Sequence, residues 1–67
     1  MQIPDKLQQQ INSLKTHGDI QRIADESGYH YNTVYKAFTS GIASPELVEV
    51  IAAFYAEREE LFREYMD

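Results

Sequence analysis

Residues 20–41 read IQRIADESGYHYNTVYKAFTSG, and Ala24, Gly28 and Val34 decide how this stretch folds. Before Gly28, Ile20, Ile23 and Ala24 share one face of a short helix by their i, i+3, i+4 spacing. Asp19 stands where an N-cap is needed, with a carboxylate able to accept from free N–H groups one turn on. After Gly28, Tyr31, Val34, Ala37 and Phe38 trace a second apolar row, of which Val34, Ala37 and Phe38 are the expected core-facing set, and Gly41 ends it. Two short helices meeting steeply across a turn of about three residues have three requirements. Ala24 supplies the small residue where they cross. Gly28 supplies the turn residue that tolerates positive φ. Val34 supplies the apolar side chain that plugs the crossing.

Upstream, Leu7, Ile11 and Leu14 form one apolar stripe, which predicts a helix over about residues 4–17. Pro4 suits its first turn and Gly18 its end. Downstream, Ser44, Pro45 and Glu46 make a helix start, with a cap, a first-turn proline and an acid at the positive end of the dipole. Nothing interrupts the helix from there to residue 66, a span of about 33 Å at 1.5 Å per residue. No stretch alternates like a strand. The expectation is one all-α domain over residues 1–67, a bundle of four to five helices. A helix-turn-helix occupies about 20–40 and a long C-terminal helix about 45–66.

The chain has 67 residues, no cysteine and a formal net charge of −5. Disulfides and cysteine-ligated zinc are therefore excluded, and so small a core leaves stability marginal. The charge is unevenly placed. Residues 1–43 hold four bases (Lys6, Lys15, Arg22, Lys36) and four acids (Asp5, Asp19, Asp25, Glu26). The whole acidic excess falls in residues 44–67, so a neutral face elsewhere remains compatible with a polyanion at a screening length of about 8–10 Å. The apolar run 47–55 is broken by Glu49 and is far shorter than the roughly 20 residues of a membrane span. The opening Met1-Gln2-Ile3-Pro4-Asp5 lacks the basic and apolar regions of a secretion signal. A cytoplasmic protein that does not contact membranes is expected. His17 and His30 lie on different segments without metal-ligand spacing, and neither a phosphate-binding Gly-rich loop nor a catalytic constellation is visible. The expectation is a non-enzyme without cofactor or metal.

The pattern Ile23-Ala24, Gly28, Thr33-Val34, Ala37-Phe38, Gly41, followed by Ser44-Pro45 and the apolar Leu47, Val48 and Ile51, resembles the helix-turn-helix of the Cro/C1-type (XRE-like) DNA-binding family. The resemblance covers about residues 19–55. It implies a lambda-repressor-like fold and a transcriptional regulator of bacterial or phage repressor type, bound to double-stranded DNA. Residues 31–39 would form the recognition helix in the major groove. By matching position, the DNA-facing residues would be His30, Tyr31, Asn32, Thr33, Tyr35 and Lys36. Asn32 suits bidentate pairing with adenine, and Thr33 a base edge or a thymine methyl. Lys36, Gln21, Thr39 and Ser40 would hold phosphates. Tyr29 would pack under the turn. Three departures from the family stand out. His30 replaces the usual Ser or Thr cap, Gln21 falls one place late, and residues 31–40 contain no arginine for reading guanine. Other readings stay open: Tyr31 and Tyr35 as cover for the core, Asn32 as a cap, Lys36 as an ordinary solvated lysine.

Leu47, Ile51, Phe54, Arg58, Leu61 and Tyr65 follow one another in steps of 4, 3, 4, 3 and 4, a heptad seam with one charged member. Val48, Tyr55 and Phe62 run beside it. Arg58, Leu61, Phe62, Tyr65 and Met66 are the expected homodimer contact, against the alternative that the helix folds back to close its own core. The acidic balance keeps a second function class in view: a protein-interaction module of the same fold, acting on a basic partner as an antirepressor or DNA mimic.

Overall fold

A computed structural model describes residues 1–66, with only the backbone described for Met66. Four α-helices are found among these residues: α1 (Asp5–Leu14), α2 (Asp19–Ser27), α3 (Tyr31–Ser40) and α4 (Pro45–Met66). The all-α expectation and the order of the elements hold. No helix is long and apolar enough to cross a membrane.

The central pair forms as the sequence requires. Ile23 and Ala24 are buried on α2, and Val34 and Ala37 on α3. Gly28 has φ of 82° and its N–H donates to the Ala24 carbonyl at 2.9 Å, which closes α2 in a left-handed cap. Residues 28–30 then turn the chain into α3. There His30 Nδ1 accepts from the Asn32 N–H at 3.2 Å, so the imidazole does the capping work usually left to a hydroxyl or carboxylate. Ser44 Oγ caps α4 in the same way, accepting from the Leu47 N–H at 3.3 Å.

α4 is the backbone of the molecule. It packs against α1 and α2, and α2 packs against α3. Its row Leu47, Val48, Ile51 and Tyr55 is buried, together with Ile3, Leu7 and Ile11 from the N-terminal side. Phe38 of α3 is half-buried and reaches the Tyr55 ring, with centroids 6.4 Å apart. The N-terminal segment adds a feature the sequence pattern did not announce. Ile3 N–H donates to the Gly41 carbonyl at 2.8 Å and Ala43 N–H to the Met1 carbonyl at 2.9 Å. This one-residue antiparallel bridge at Gln2 and Ile42 ties the start of the chain to the exit of α3.

Two boundaries differ from the sequence expectation, for one reason. α1 stops at Leu14 instead of running to His17, and Gly18 is the N-cap of α2 with φ of 87° instead of the end of α1. Asp19 is the first residue of α2 and does not cap it. Its carboxylate reaches back to the Thr16 N–H and hydroxyl, both at 2.9 Å. That commitment takes the Thr16 N–H away from the α1 ladder and bends the chain into a corner.

Substituting Gly28 tests the turn. A Cβ there meets no atom within 4 Å, so Gly28→Ala carries only the left-handed backbone cost. Urea unfolding should show a loss of about 1–2 kcal/mol. An unchanged midpoint would contradict the left-handed geometry at that residue.

Candidate functional site

The outward surface of α3 is where the sequence-predicted residues gather. With Val34 and Ala37 facing the core, helical periodicity turns Asn32, Tyr35, Lys36 and Thr39 to the opposite side. These four, with His30, Tyr31, Thr33 and Ser40, are exposed. Tyr31 is 42% and Tyr35 48% exposed, and their rings stack at 6.3 Å with planes 18° apart. They are therefore surface aromatics and not core cover. Tyr29 is half-buried against the core, as expected for a residue under the turn. Gln21 comes close to this surface. It lines the same shallow depression as Tyr31, together with Lys15, Thr16, His17 and Gly18.

The polar groups on this face differ in how free they are. Gln21 Nε2 donates to Asp25 Oδ1 at 2.9 Å. Ser40 Oγ donates to the Lys36 carbonyl at 2.6 Å and accepts from the Ile42 N–H at 3.2 Å, which shapes the exit of α3. Thr39 Oγ1 donates back to the Tyr35 carbonyl at 3.2 Å. Lys36 is in neither of the two ion pairs among the described residues, Asp19–Arg58 and Glu59–Arg63. Asn32 contributes its backbone N–H to the His30 cap and keeps its side-chain amide outward.

A second constellation was not foreseen. The Asp19 carboxylate is 3% exposed and lies against Arg58 in a bidentate pair, Nη1 to Oδ2 at 2.6 Å and Nη2 to Oδ1 at 2.8 Å. The Tyr55 hydroxyl donates to Oδ2 at 2.9 Å, and the two Thr16 groups complete the shell. Arg58 Nη1 also donates to the Leu14 carbonyl at 3.1 Å, placing a cation on the C-terminal end of α1. Its guanidinium lies 4.8 Å from the Phe54 ring centroid. Burial alone would raise the Asp19 pKa, but the hydrogen bonds from Arg58, the Thr16 N–H, Tyr55 and the Thr16 hydroxyl outweigh it. Together they hold the carboxyl well below the usual carboxylate range. Burial, then the Asp19 hydrogen bond, pushes the Tyr55 hydroxyl far upward.

This arrangement corrects the reading of Arg58 as a dimer contact, because the side chain is spent inside the fold. The signal was present in the sequence: one charge in an otherwise apolar heptad row requires a buried partner. The rest of that row behaves differently. Leu61 (47%), Phe62 (45%) and Tyr65 (85%) are exposed beyond the Arg58 contact. Met66, expected with them, has its side chain outside the described residues. No family model, curated protein or solved structure matches the chain.

The buried pair gives a signed pH dependence. Asp19 has a lower pKa folded than unfolded, so its contribution is complete above the unfolded value of about 3.9 and drains away as pH falls below it. Asp19→Asn should cost about 3–5 kcal/mol at neutral pH by leaving Arg58 buried without a counter-charge. It should also lose less stability than the parent on acidification. Chemical unfolding across pH 7 to about 2 measures both. Parallel acid limbs in the two proteins would remove the assignment.

Proposed function

We propose that the chain is a sequence-specific DNA-binding regulator of the Cro/C1 type that lays α3 in the major groove. The observation that carries this reading is the free outer face of α3. Asn32, Tyr35 and Lys36 stand clear of the other helices, on a helix held by Val34 and Ala37 from below. Asn32 is the residue for base readout, with Thr33 beside it. Lys36 is the residue for phosphate, and the stacked Tyr31 and Tyr35 add flat apolar area next to both. Thr39 and Ser40 have weaker claims than Lys36, because their hydroxyls already donate to the helix backbone.

Lys36→Ala should weaken binding to all sequences about equally and flatten the salt slope by about one unit, since one phosphate contact is lost. Asn32→Ala should cost about 1–3 kcal/mol at a single base position and relax preference there. Fluorescence anisotropy with a selected operator and scrambled duplexes reads both. If Asn32→Ala alters neither affinity nor preference, α3 does not enter the groove in this orientation.

The proposal includes a homodimer through Leu61, Phe62 and Tyr65, which would present two α3 helices to half-sites about one helical turn apart. Glu57 and Glu64 flank that row, so two copies bring like charge together at its edge. Added salt should therefore tighten the dimer while it weakens DNA binding. Sedimentation equilibrium at two salt concentrations tests this, and a 7.8 kDa species throughout the micromolar range removes the dimer.

The acidic excess of residues 44–67 favours the second reading, a module that binds a basic protein in place of DNA. Electrophoretic mobility shifts at low salt with random and genomic duplexes decide between the readings. The regulator retards DNA in proportion to its concentration, and the protein-binding module leaves it unshifted.

A further inference from the structure

Away from the α3 face, α2 and α4 leave an apolar groove between them. Its floor is made by Ile23, Val50, Ala53 and Phe54, and a depression of about 260 Å³ lies over it. Glu26 from α2 and Glu57 from α4 stand on its two sides. A second depression, of about 120 Å³, shares Phe54, Glu26 and Glu57 and carries the groove on toward Leu61, with Arg22 at its margin. Glu26 and Glu57 are both exposed, and neither is in an ion pair among the described residues. Arg58 also borders this end, but its charge is taken up by Asp19. The first depression, whose walls hold no basic residue, thus offers an apolar strip with a carboxylate on each bank, while Arg22 and Arg58 stand in the second.

We propose that this α2–α4 groove docks a basic amphipathic segment of another protein, with apolar side chains on the Val50–Ala53–Phe54 floor and Lys or Arg groups between Glu26 and Glu57. Charge complementarity selects this occupant. Two unpaired carboxylates facing each other across an apolar floor are relieved by a cation. The acidic excess of the chain lies in residues 44–67, which supply the α4 bank of the groove, so basic partners are steered toward that bank and acidic ones repelled. Burial of apolar contacts between the two charges then gives the affinity that exposed ion pairs alone do not supply. The surface is separate from α3: both depressions are lined by α2 and α4 alone, with no residue of 31–40 among their walls. Docking therefore holds whether or not α3 contacts DNA, and one molecule can engage both.

The test uses the full ¹⁵N-labelled chain and a synthetic amphipathic peptide of leucine and lysine. Its control is a peptide of equal charge with serine in place of leucine. Amide shifts should cluster at Ile23, Glu26, Val50, Phe54 and Glu57, and the serine peptide should bind at least about tenfold more weakly. Glu26→Lys with Glu57→Lys should weaken the leucine peptide by about tenfold or more. Glu60→Lys with Glu64→Lys changes net charge equally on the exposed end of α4 and should leave affinity within about twofold. Ala53→Gln, a neutral and exposed change that fills the floor, should weaken binding without touching either carboxylate. Lys36→Ala should leave peptide binding unchanged, which separates this site from the α3 reading. Equal losses in the two charge-reversed proteins, or shifts centred on residues 59–65, would show that the peptide follows net charge and would overturn the site. Shifts at Ile23, Glu26 and Val50, away from the Leu61–Tyr65 row, that grow with protein concentration in the absence of peptide would assign the groove to a second copy and overturn it as well.

Discussion

The Asp19 carboxylate ties three parts of the chain to a single point. It receives the Thr16 N–H and hydroxyl at the corner between α1 and α2, the Tyr55 hydroxyl from the middle of α4, and both terminal nitrogens of Arg58 one turn further on. A charge this deeply buried is tolerable only because every lone-pair direction is used and the counter-charge is bidentate. The same guanidinium covers the last carbonyl of α1, so the end of one helix, the start of the next and the axis of the longest are fixed together. In a protein of 67 residues, whose hydrophobic core supplies little margin, such a joint decides orientation more than it adds stability. α2 rests on α4 through it, and α3 rests on α2. The attitude of the outer face of α3 is thus tied to this ion pair, through α2 and through the Phe38 ring beside Tyr55.

That dependence explains which parts of the fold were legible in the residues. Gly28, Ala24 and Val34 are local signals: a left-handed turn, a small crossing residue and a plug, all within eleven positions of one another. They predicted α2, the turn and α3 closely, because short-range sterics determine them. Ser44-Pro45 fixed the start of α4 by the same kind of rule. The corner at Thr16–Asp19 was misjudged, because its geometry answers to Arg58, thirty-nine residues away. Local rules alone make Asp19 a cap and Gly18 a helix end. With the distant guanidinium present, Asp19 turns inward and α1 stops early. Arg58 reads as a dimer contact for the complementary reason: a charge in a heptad row announces a buried partner, but not that the partner is Asp19 of the same chain. The bridge between Met1–Ile3 and Gly41–Ala43 had no periodic signal to read, because it is one residue pair long.

The candidate site was legible in part. Spacing put Val34 and Ala37 on the core side of α3, the family resemblance named Asn32, Tyr35 and Lys36, and their exposure follows from the burial of the first two. Spacing could not tell whether a hydroxyl was already engaged, and the side chains of Thr39 and Ser40 are. Nor could it show the Tyr31–Tyr35 stack, which settles both rings as surface groups.

The acidic character of the chain is the remaining constraint, and geometry makes it compatible with a polyanion on one face. The first 43 residues are balanced, and the α3 surface draws its charge from them. The carboxylates of α4 occupy a helix that packs on α1 and α2. Exposed charges interact weakly beyond a screening length, so the acids on the far half of a 22-residue helix act mainly on whatever approaches that half. One small bundle can in this way present a neutral helix face bearing Asn32 and Lys36 and, across α2, an apolar groove banked by Glu26 and Glu57. The two surfaces need not compete, because α2 lies between them and each helix it touches contributes to only one.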